Sequence, residues 1–311
     1  MKLHQLVRLR NQLSLSLDLS IIEQELDKNC QRLEILTQEI DPELEQKITA
    51  IAQQHNNINS LLERDKSKLD ELITIIQDKI NSLSTNFFAE NYQLELKNID
   101  ADTIRKTRSI ANNEQFELQL LQRINLHSNW QYPALEIGCG DGKWTKYLVA
   151  SDPLYIADIF EEFLQSAIQQ FEPIYQGRVR KYIVKDFYKI ANLPKNQFSF
   201  IFSYNFFNYL SLDSVKQLLI QSFDWLRPGG KIIFTYNNAD LPAAAAYAEN
   251  YFMTYVPKSI LQPMAESLGY ITTFSFDFDP AFSIIEFQKP GTLKSIKLGQ
   301  TVGEIKVKNL N

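Results

Sequence analysis

Cysteine is almost missing from this chain of 311 residues, which has only Cys30 and Cys139. Two thiols so far apart in sequence make no disulfide framework, and a reducing, cytoplasmic setting is expected. Histidine is nearly as scarce, at positions 4, 55 and 127. No His/Asp/Glu cluster has metal-ligand spacing, so no metal is expected. No apolar run approaches the roughly 18 residues of a membrane span. The opening MKLHQLVRLRNQ has charges threaded through it and no apolar core, so no secretory signal is expected. An excess of basic residues is also missing. The net charge of −5 argues against a surface that grips nucleic acid over its whole extent.

Glycine and proline are absent from particular places. All ten glycines fall at or after Gly138, and Pro42 is the one proline before Pro133. A stretch without these breakers is permissive for long helices. Charge divides along similar lines: residues 1–100 hold 11 Lys/Arg against 17 Asp/Glu, while the remainder is nearly balanced. What the chain does have, 44% apolar and 22% charged residues, is enough for a soluble protein with a buried core.

In the N-terminal part, Ile48, His55, Leu62, Leu69, Ile76 and Leu83 recur every seven residues, as do Leu44, Ile51, Ile58, Asp65, Leu72 and Lys79. These are the a and d positions of a coiled-coil seam, with His55 a polar residue that sets register. Asp41 suits the N-cap, Pro42 the first helical position, and Glu43 and Glu45 the positive end of the helix dipole. A preceding helix is expected from Ser20, where Ser20 and Glu23 form a capping box. Helix, turn, helix is the reading, with a kinked continuous rod as competitor. Residues 13–20 alternate apolar and polar with period two, which is strand grammar. The segment is expected to oligomerise the chain with copies of itself.

Beyond residue 130 the pattern changes. Short apolar runs at 133–138, 153–158, 181–186, 198–204, 230–236, 270–276 and 282–288 predict strands. The intervals 143–150, 160–171, 213–226, 241–251 and 258–268 predict helices. The fold class is therefore α/β: a Rossmann-like, seven-stranded, mostly parallel sheet with helices on both faces, preceded by a long α-helical coiled-coil segment. The expected division is a helical segment over 1–98, an α/β domain over 99–290, and a C-terminal β-hairpin tail over 291–311. In such sheets ligands bind beyond the carboxyl ends of the strands, where the strand order reverses.

The first strand enters Gly138-Cys139-Gly140-Asp141-Gly142, where alternate glycines let the backbone turn tightly and approach a ligand closely. A dinucleotide fingerprint would place its third glycine one position later, where Lys143 stands. Asp141 adds a carboxylate where a pyrophosphate would have to lie. The loop therefore favours a nucleoside carrying positive charge, a description that S-adenosylmethionine meets.

Glu136 to Gly142 closely resembles the first motif of class I S-adenosylmethionine-dependent methyltransferases. Ile156 to Leu164 is similar to the family's second-strand motif, in which Asp158 would bind the ribose hydroxyls and Ile159 follows it. Val184 to Phe187 is similar to the third-strand motif, with Asp186 facing the adenine amino group and Phe187 packing on the ring. Leu226 to Phe234 matches the turn into the fifth strand, where Gly229-Gly230 reads as a turn. The resemblance covers about 110–290 and implies a methyltransferase with S-adenosylmethionine as cofactor. Its cofactor-binding residues would be Glu136, Gly138, Cys139, Gly140, Asp141, Gly142, Asp158, Ile159, Asp186, Phe187 and Ser203.

Departures narrow the chemistry. Phe198 is followed by Ser199 where the family often has Asp. Ser203-Tyr204-Asn205-Phe206-Phe207 lacks the prolines of amino-methylating DNA members, so base methylation of that type is not expected. A histidine base would require His127 to fold over the site. Tyr204, Phe206, Phe207, Tyr209, Tyr236, Asn237 and Asn238 gather near two strand ends as an acceptor pocket, with Tyr204, Asn205 and Tyr236 the catalytic candidates. The acceptor itself is not legible. The competing reading is a structural or scaffolding subunit, of a phage or another assembly, on a methyltransferase-like fold without turnover.

Overall fold

The computed structural model describes residues 3–16, 42–87, 114–185, 188–250, 253–278 and 282–293. Two compact units make up the chain, Met1–Asn86 and Phe87–Asn311. The segment expected to hold the first heptad helix, residues 17–41, lies outside the described residues, as does the tail beyond residue 293. Among the described residues no helix is long and apolar enough to cross a membrane.

In the first unit, α1 (Leu3–Ser16) and α2 (Pro42–Phe87) are the described helices. Pro42 opens α2, where its missing N–H is no loss. Leu3, Leu6 and Val7 on α1 are buried, and so are Ile76 and Ile80 on α2. Arg10 Nη1 donates to Gln77 Oε1 at 2.8 Å, tying the two helices together. Residues 13–16 correct the expected strand, because they finish α1. Leu3, Leu6 and Val7 already bury a helical face at spacings of three and four, and that burial carries the short alternating stretch with it.

The second unit is an α/β sheet. Its strands are β1 (Ala134–Ile137), β2 (Leu154–Asp158), β3 (Val179–Lys185), β4 (Lys189–Ile190), β5 (Phe198–Ser203), β6 (Leu226–Tyr236), β7 (Ile271–Phe278) and β8 (Phe282–Gln288). The order is β4-β3-β2-β1-β5-β6-β8-β7. The strands β3, β2, β1, β5 and β6 are parallel, whereas β8 runs antiparallel to β6 and β7 to β8. The seven expected strands are all present, and the two-residue β4 adds an eighth at the edge, antiparallel to β3. Every residue of β1 and β5 is buried, as strands covered on both faces must be.

Helices cover the two faces. On one lie α3 (Glu114–His127) and α4 (Glu161–Gln169), through Phe116, Leu120, Ile124, Leu164 and Ala167. The single turn α5 (Pro173–Gln176) follows α4. On the other lie α6 (Leu212–Trp225) and α8 (Lys258–Ser267), through Val215, Leu218, Leu219, Leu261 and Ala265. The remaining helix, α7 (Pro242–Glu249), follows β6. Ser211 caps α6 by accepting the Ser214 N–H at 3.2 Å. The helix expected over 143–150 is instead one 3-10 turn, Thr145–Tyr147. The chain from Gly142 must descend the height of the sheet to reach Leu154. On the way Trp144 and Leu148 are buried in the apolar cluster of the α3 face.

A buried ionic cluster fastens α3 to the sheet. Glu286, in the middle of β8, has no solvent exposure. Lys231 Nζ and Thr273 Oγ1 donate to its Oε1 at 2.7 and 2.6 Å, and His127 Nε2 lies 2.8 Å from Oε2. The Arg123 guanidinium is 3.6 Å from the same oxygen and lies over the Phe274 ring. An ionised carboxylate only accepts, so His127 must carry its proton on Nε2. Burial alone would raise the Glu286 pKa. The hydrogen bonds from His127, Lys231 and Thr273, with the charge of His127, reverse this and hold it at about 2, below its usual 4.5. A depressed carboxylate pKa stabilises the fold above the unfolded value and ceases to do so as pH falls through the folded one. Glu286→Gln is therefore expected to cost roughly 3 kcal/mol at pH 7. In urea unfolding followed from pH 7 to pH 2, the wild-type protein should lose that advantage between about pH 4.5 and 2, and the variant should show a flatter acid limb.

Candidate active site

The strand order reverses at β1, which pairs with β2 on one side and β5 on the other. The crevice at such a reversal opens beyond the carboxyl ends of the two diverging strands. Here those ends are Ile137–Gly138 and Ser203–Tyr204. They are joined directly, because the buried Ser203 hydroxyl donates to the Ile137 carbonyl at 2.7 Å.

The loop glycines have φ of +75° at Gly138, +54° at Gly140 and +85° at Gly142, the left-handed region that side chains disfavour. Gly138 is also a point of close approach. A β-carbon there would lie 2.6 Å from Phe206 Cβ, so the loop after β5 rests on the loop after β1. The Gly138 N–H donates to the Ala157 carbonyl at 2.7 Å. Asp158, buried at the end of β2, accepts the Gly140 N–H at 2.9 Å and the Phe160 N–H at 3.2 Å. One carboxylate thus stitches the glycine loop to the turn after β2.

Among the other residues expected to hold a cofactor, Glu136 is buried in β1 opposite Ile156 and Phe202. Cys139 is buried in the apolar cluster of the α3 face. Asp141 is exposed, and its carbonyl accepts a hydrogen bond from the Gln170 amide. Ile159 is half-buried beside Asp158. Asp186 and Phe187 lie outside the described residues. Gly229 at φ +80° faces the backbone of Thr292 and Leu293, and Gly230 faces the Phe198 carbonyl. That pair makes the bulge where the β5–β6 register shifts.

The three catalytic candidates take different positions. Tyr204 stacks on Phe282 with ring centroids 6.3 Å apart, and Trp144 lies 5.1 Å from it. Tyr236 is fully buried in the opposite core cluster. Burial, aided by the charges of Asp277 and Asp240, pushes its phenol far above the usual range, so it stays protonated. Asn205 is 1% exposed at φ +51°, a backbone state that Asn tolerates better than most residues. Its N–H donates to Thr235 Oγ1 at 2.6 Å. His127 does not reach this edge, being held by Glu286 on β8.

The sequence reading missed a buried polar network beneath these residues. Thr235 Oγ1 donates to Asn208 Oδ1 at 2.9 Å, and the Asn208 carbonyl accepts both the N–H and the hydroxyl of Thr254. Asn237 Nδ2 donates to the carbonyls of Thr254 and Ala244, each at 2.9 Å. Asn205 and Asn208 three apart after a strand were the available signal, though Thr254 enters from a distant loop. Trp144 was also missed, because it was assigned to a helix that does not form.

Residues 134–230 match the family model described as a methyltransferase domain. That stretch begins with β1 and ends inside β6, and so contains the glycine loop, Asp158 and the loop after β5. Over those residues the chain carries a methyltransferase domain. Solved structures similar to it include an S-adenosylmethionine-dependent methyltransferase from Mesorhizobium loti, at 13% identity and TM-score 0.46 over 56% of this chain and 97% of that one. The PH0226 protein from Pyrococcus horikoshii OT3 gives 12% and 0.45 over 57% and 92%. Phosphoethanolamine N-methyltransferase 2 from Haemonchus contortus gives 13% and 0.48 over 61% and 57%. No curated protein sequence matches the chain.

The methyltransferase loop fits a cationic nucleoside. Three glycines in the left-handed region lie beside a buried carboxylate, and Lys143, which follows them, is tied to Glu117. Substituting the residue at the closest contact should disturb the fold itself. Gly138→Ala combines a left-handed backbone with a collision at Phe206, and a loss of about 2–4 kcal/mol is expected in urea unfolding. A change below about 0.5 kcal/mol would mean that the Gly138–Phe206 contact yields freely.

Proposed function

We propose that the protein transfers a methyl group from S-adenosylmethionine to a small acceptor at the carboxyl ends of β1, β5 and β6. The observation that carries this reading is the glycine loop held against Asp158 at the reversal of strand order, inside the matched domain. Glu136, Gly138, Cys139, Gly140, Asp141, Gly142, Asp158, Ile159 and Ser203 would hold the cofactor, with Asp186 and Phe187 from the third-strand motif. Asp158 lies at the carboxyl end of β2 and its carboxylate, which accepts the Gly140 and Phe160 N–H groups, is of the type that binds ribose hydroxyls. Bound there, S-adenosylmethionine would supply a methyl electrophile to an acceptor lone pair, with the electron pair of the broken carbon–sulfur bond passing to sulfur. The protein's part is to align the reactants and exclude water.

Tyr204 and Asn205 would face the acceptor, while Tyr236 walls the pocket and cannot serve as a base. Self-association through α2 belongs to the same proposal. Leu72 and Ile75 on α2 are 48% and 56% exposed, an apolar pair on a long helix that a second copy would cover. A cytoplasmic enzyme is the setting that the scarcity of cysteine supports.

Calorimetric titration with S-adenosylmethionine, S-adenosylhomocysteine and NAD tests the cofactor. Micromolar binding of the first two without NAD is expected, and Asp158→Ala should weaken it by roughly 1–3 kcal/mol. Folded protein that binds none of them would favour the scaffolding reading. For self-association, sedimentation equilibrium of Leu72→Lys/Ile75→Lys should give a smaller species than the wild-type chain. Equal masses would remove that face of α2 from any interface.

A further inference from the structure

Buried polar side chains without hydrogen-bond partners are rare, and each calls for a cause. In this domain several such atoms gather at one edge of the sheet. Among the described residues, Trp144 Nε1, Thr145 Oγ1, both amide atoms of Asn205, Tyr236 Oη, Asn237 Oδ1 and Ser283 Oγ all lack hydrogen-bond partners. Trp144 and Thr145 follow the glycine loop, Asn205 follows β5, Tyr236 ends β6 and Asn237 comes next. Ser283 pairs with Tyr236 across the β6–β8 ladder. All lie at the end of the sheet where the parallel strands finish, around the proposed methyl-transfer site.

Two of these atoms have a defined chemistry. Asn237 directs both its N–H groups at carbonyls, those of Ala244 and Thr254. Flipping that amide would aim its oxygen at two other oxygens, so Oδ1 is fixed as a buried acceptor. Asn205 is joined to the same network through Thr235, Asn208 and Thr254. It also precedes Phe206, which rests on Gly138. Its amide therefore sits one residue from the contact with the glycine loop, 1% exposed and with neither Oδ1 nor Nδ2 engaged. Leaving such a group dry costs about 1–3 kcal/mol.

Among the described residues at this edge, one phenol and three carboxylates are already committed. The Tyr236 phenol is buried and protonated. Asp158 holds the backbone of Gly140 and Phe160, Asp240 holds Ser259, and Asp277 is paired with Lys258 and Asn238. A hydroxyl or carbon acceptor needs a base as it reacts. An acceptor carboxylate needs none, but it would meet the fixed oxygen of Asn237 and the carboxylates along this edge. A neutral amine suits both conditions. Its N–H groups can donate to amide oxygens, its lone pair is already free, and the proton is lost to water after the nitrogen has become cationic. The rings of Trp144 and Tyr204 nearby already have the Lys143 ammonium 5.6 and 5.9 Å from their centroids, so aromatic faces here accommodate a cation.

We infer that the methyl acceptor is a neutral, N–H-bearing nitrogen compound, and that Asn205 binds it through its amide oxygen with Asn237 Oδ1 as a second acceptor. The inference rests on the methyltransferase reading for the reaction, although the binding site can be tested apart from it. The probes are aniline, phenol and benzoate, three rings of similar size that differ in the acceptor group. Each is titrated by NMR into the protein with and without S-adenosylhomocysteine, following the side-chain amide signals of Asn205. Aniline should bind in preference to the other two and shift those signals. Asn205→Gly, which suits the positive φ, should weaken aniline about tenfold and leave S-adenosylhomocysteine affinity unchanged. Asn205→Asp, which keeps an oxygen acceptor, should retain aniline binding. Phenol or benzoate binding as tightly as aniline, no aniline binding in either state, or an unaffected Asn205→Gly variant would each overturn the assignment. Failure to bind S-adenosylhomocysteine while aniline still binds through Asn205 would instead sink the cofactor reading and leave the amine site standing.

Discussion

Two strands that diverge at the middle of a parallel sheet leave a gap between the loops that follow them, and the contact closing that gap decides what the site can hold. In this chain the contact is Phe206 on Gly138, with the Ser203 hydroxyl bonded to the Ile137 carbonyl beneath it. Only a residue without a side chain allows the approach at position 138. Once the two loops are set against each other, Asp158 completes the arrangement by accepting the N–H of Gly140. The glycines thus have two roles, to shape a cradle and to let one loop rest on another. Either role alone would explain their positions.

The polar network behind the loops works on a different principle. Asn208, Thr235, Thr254 and Asn237 satisfy one another through a chain of hydrogen bonds in the interior, where an unpaired group is costly and a paired one is rigid. That chain joins three segments distant in sequence: the turn after β5, the end of β6 and the loop before α8. Among the described residues, the Asn237 Oδ1 and both amide atoms of Asn205 remain without hydrogen-bond partners at its margin. Rigidity behind an unpaired group is the arrangement that recognition requires, since the supporting residues cannot collapse to satisfy it.

Much of the α/β domain was legible in the sequence because its strands are short apolar runs bounded by turn residues. All seven expected strands are found, and β1 and β5 are buried at every position because both of their faces are covered. The glycine loop was legible for a local reason, the backbone geometry of three glycines at alternate positions. The helix after it was not, because Lys143 to Ala150 has nothing against helix in its composition. In the fold Trp144 and Leu148 are instead buried in the cluster of the α3 face around a single 3-10 turn, and that packing is a property of the assembled sheet. Residues 13–16 misled in the opposite sense: four alternating residues are too few to outweigh a helix already burying Leu3, Leu6 and Val7. The polar network could not be read at all, since Thr254 and Asn208 become neighbours only through the order of the strands.

The position of His127 gives the chemistry its direction. A histidine near the end of α3 was the one available imidazole base, and the fold uses it to bind Glu286 beside Lys231 and Thr273. Breaking that pairing would leave a fully buried carboxylate with fewer donors, so the imidazole is held where it is by the stability of the sheet. Tyr236 is removed from proton transfer by burial, and the carboxylates at the active edge are engaged with backbone, lysine or hydroxyl groups. What these engagements leave, among the described residues, is an edge rich in hydrogen-bond acceptors and aromatic faces. Such an edge can orient a nucleophile that already has its lone pair, and it has little to offer one that does not. The structural use of a histidine and the chemical character of the site are in this sense one constraint.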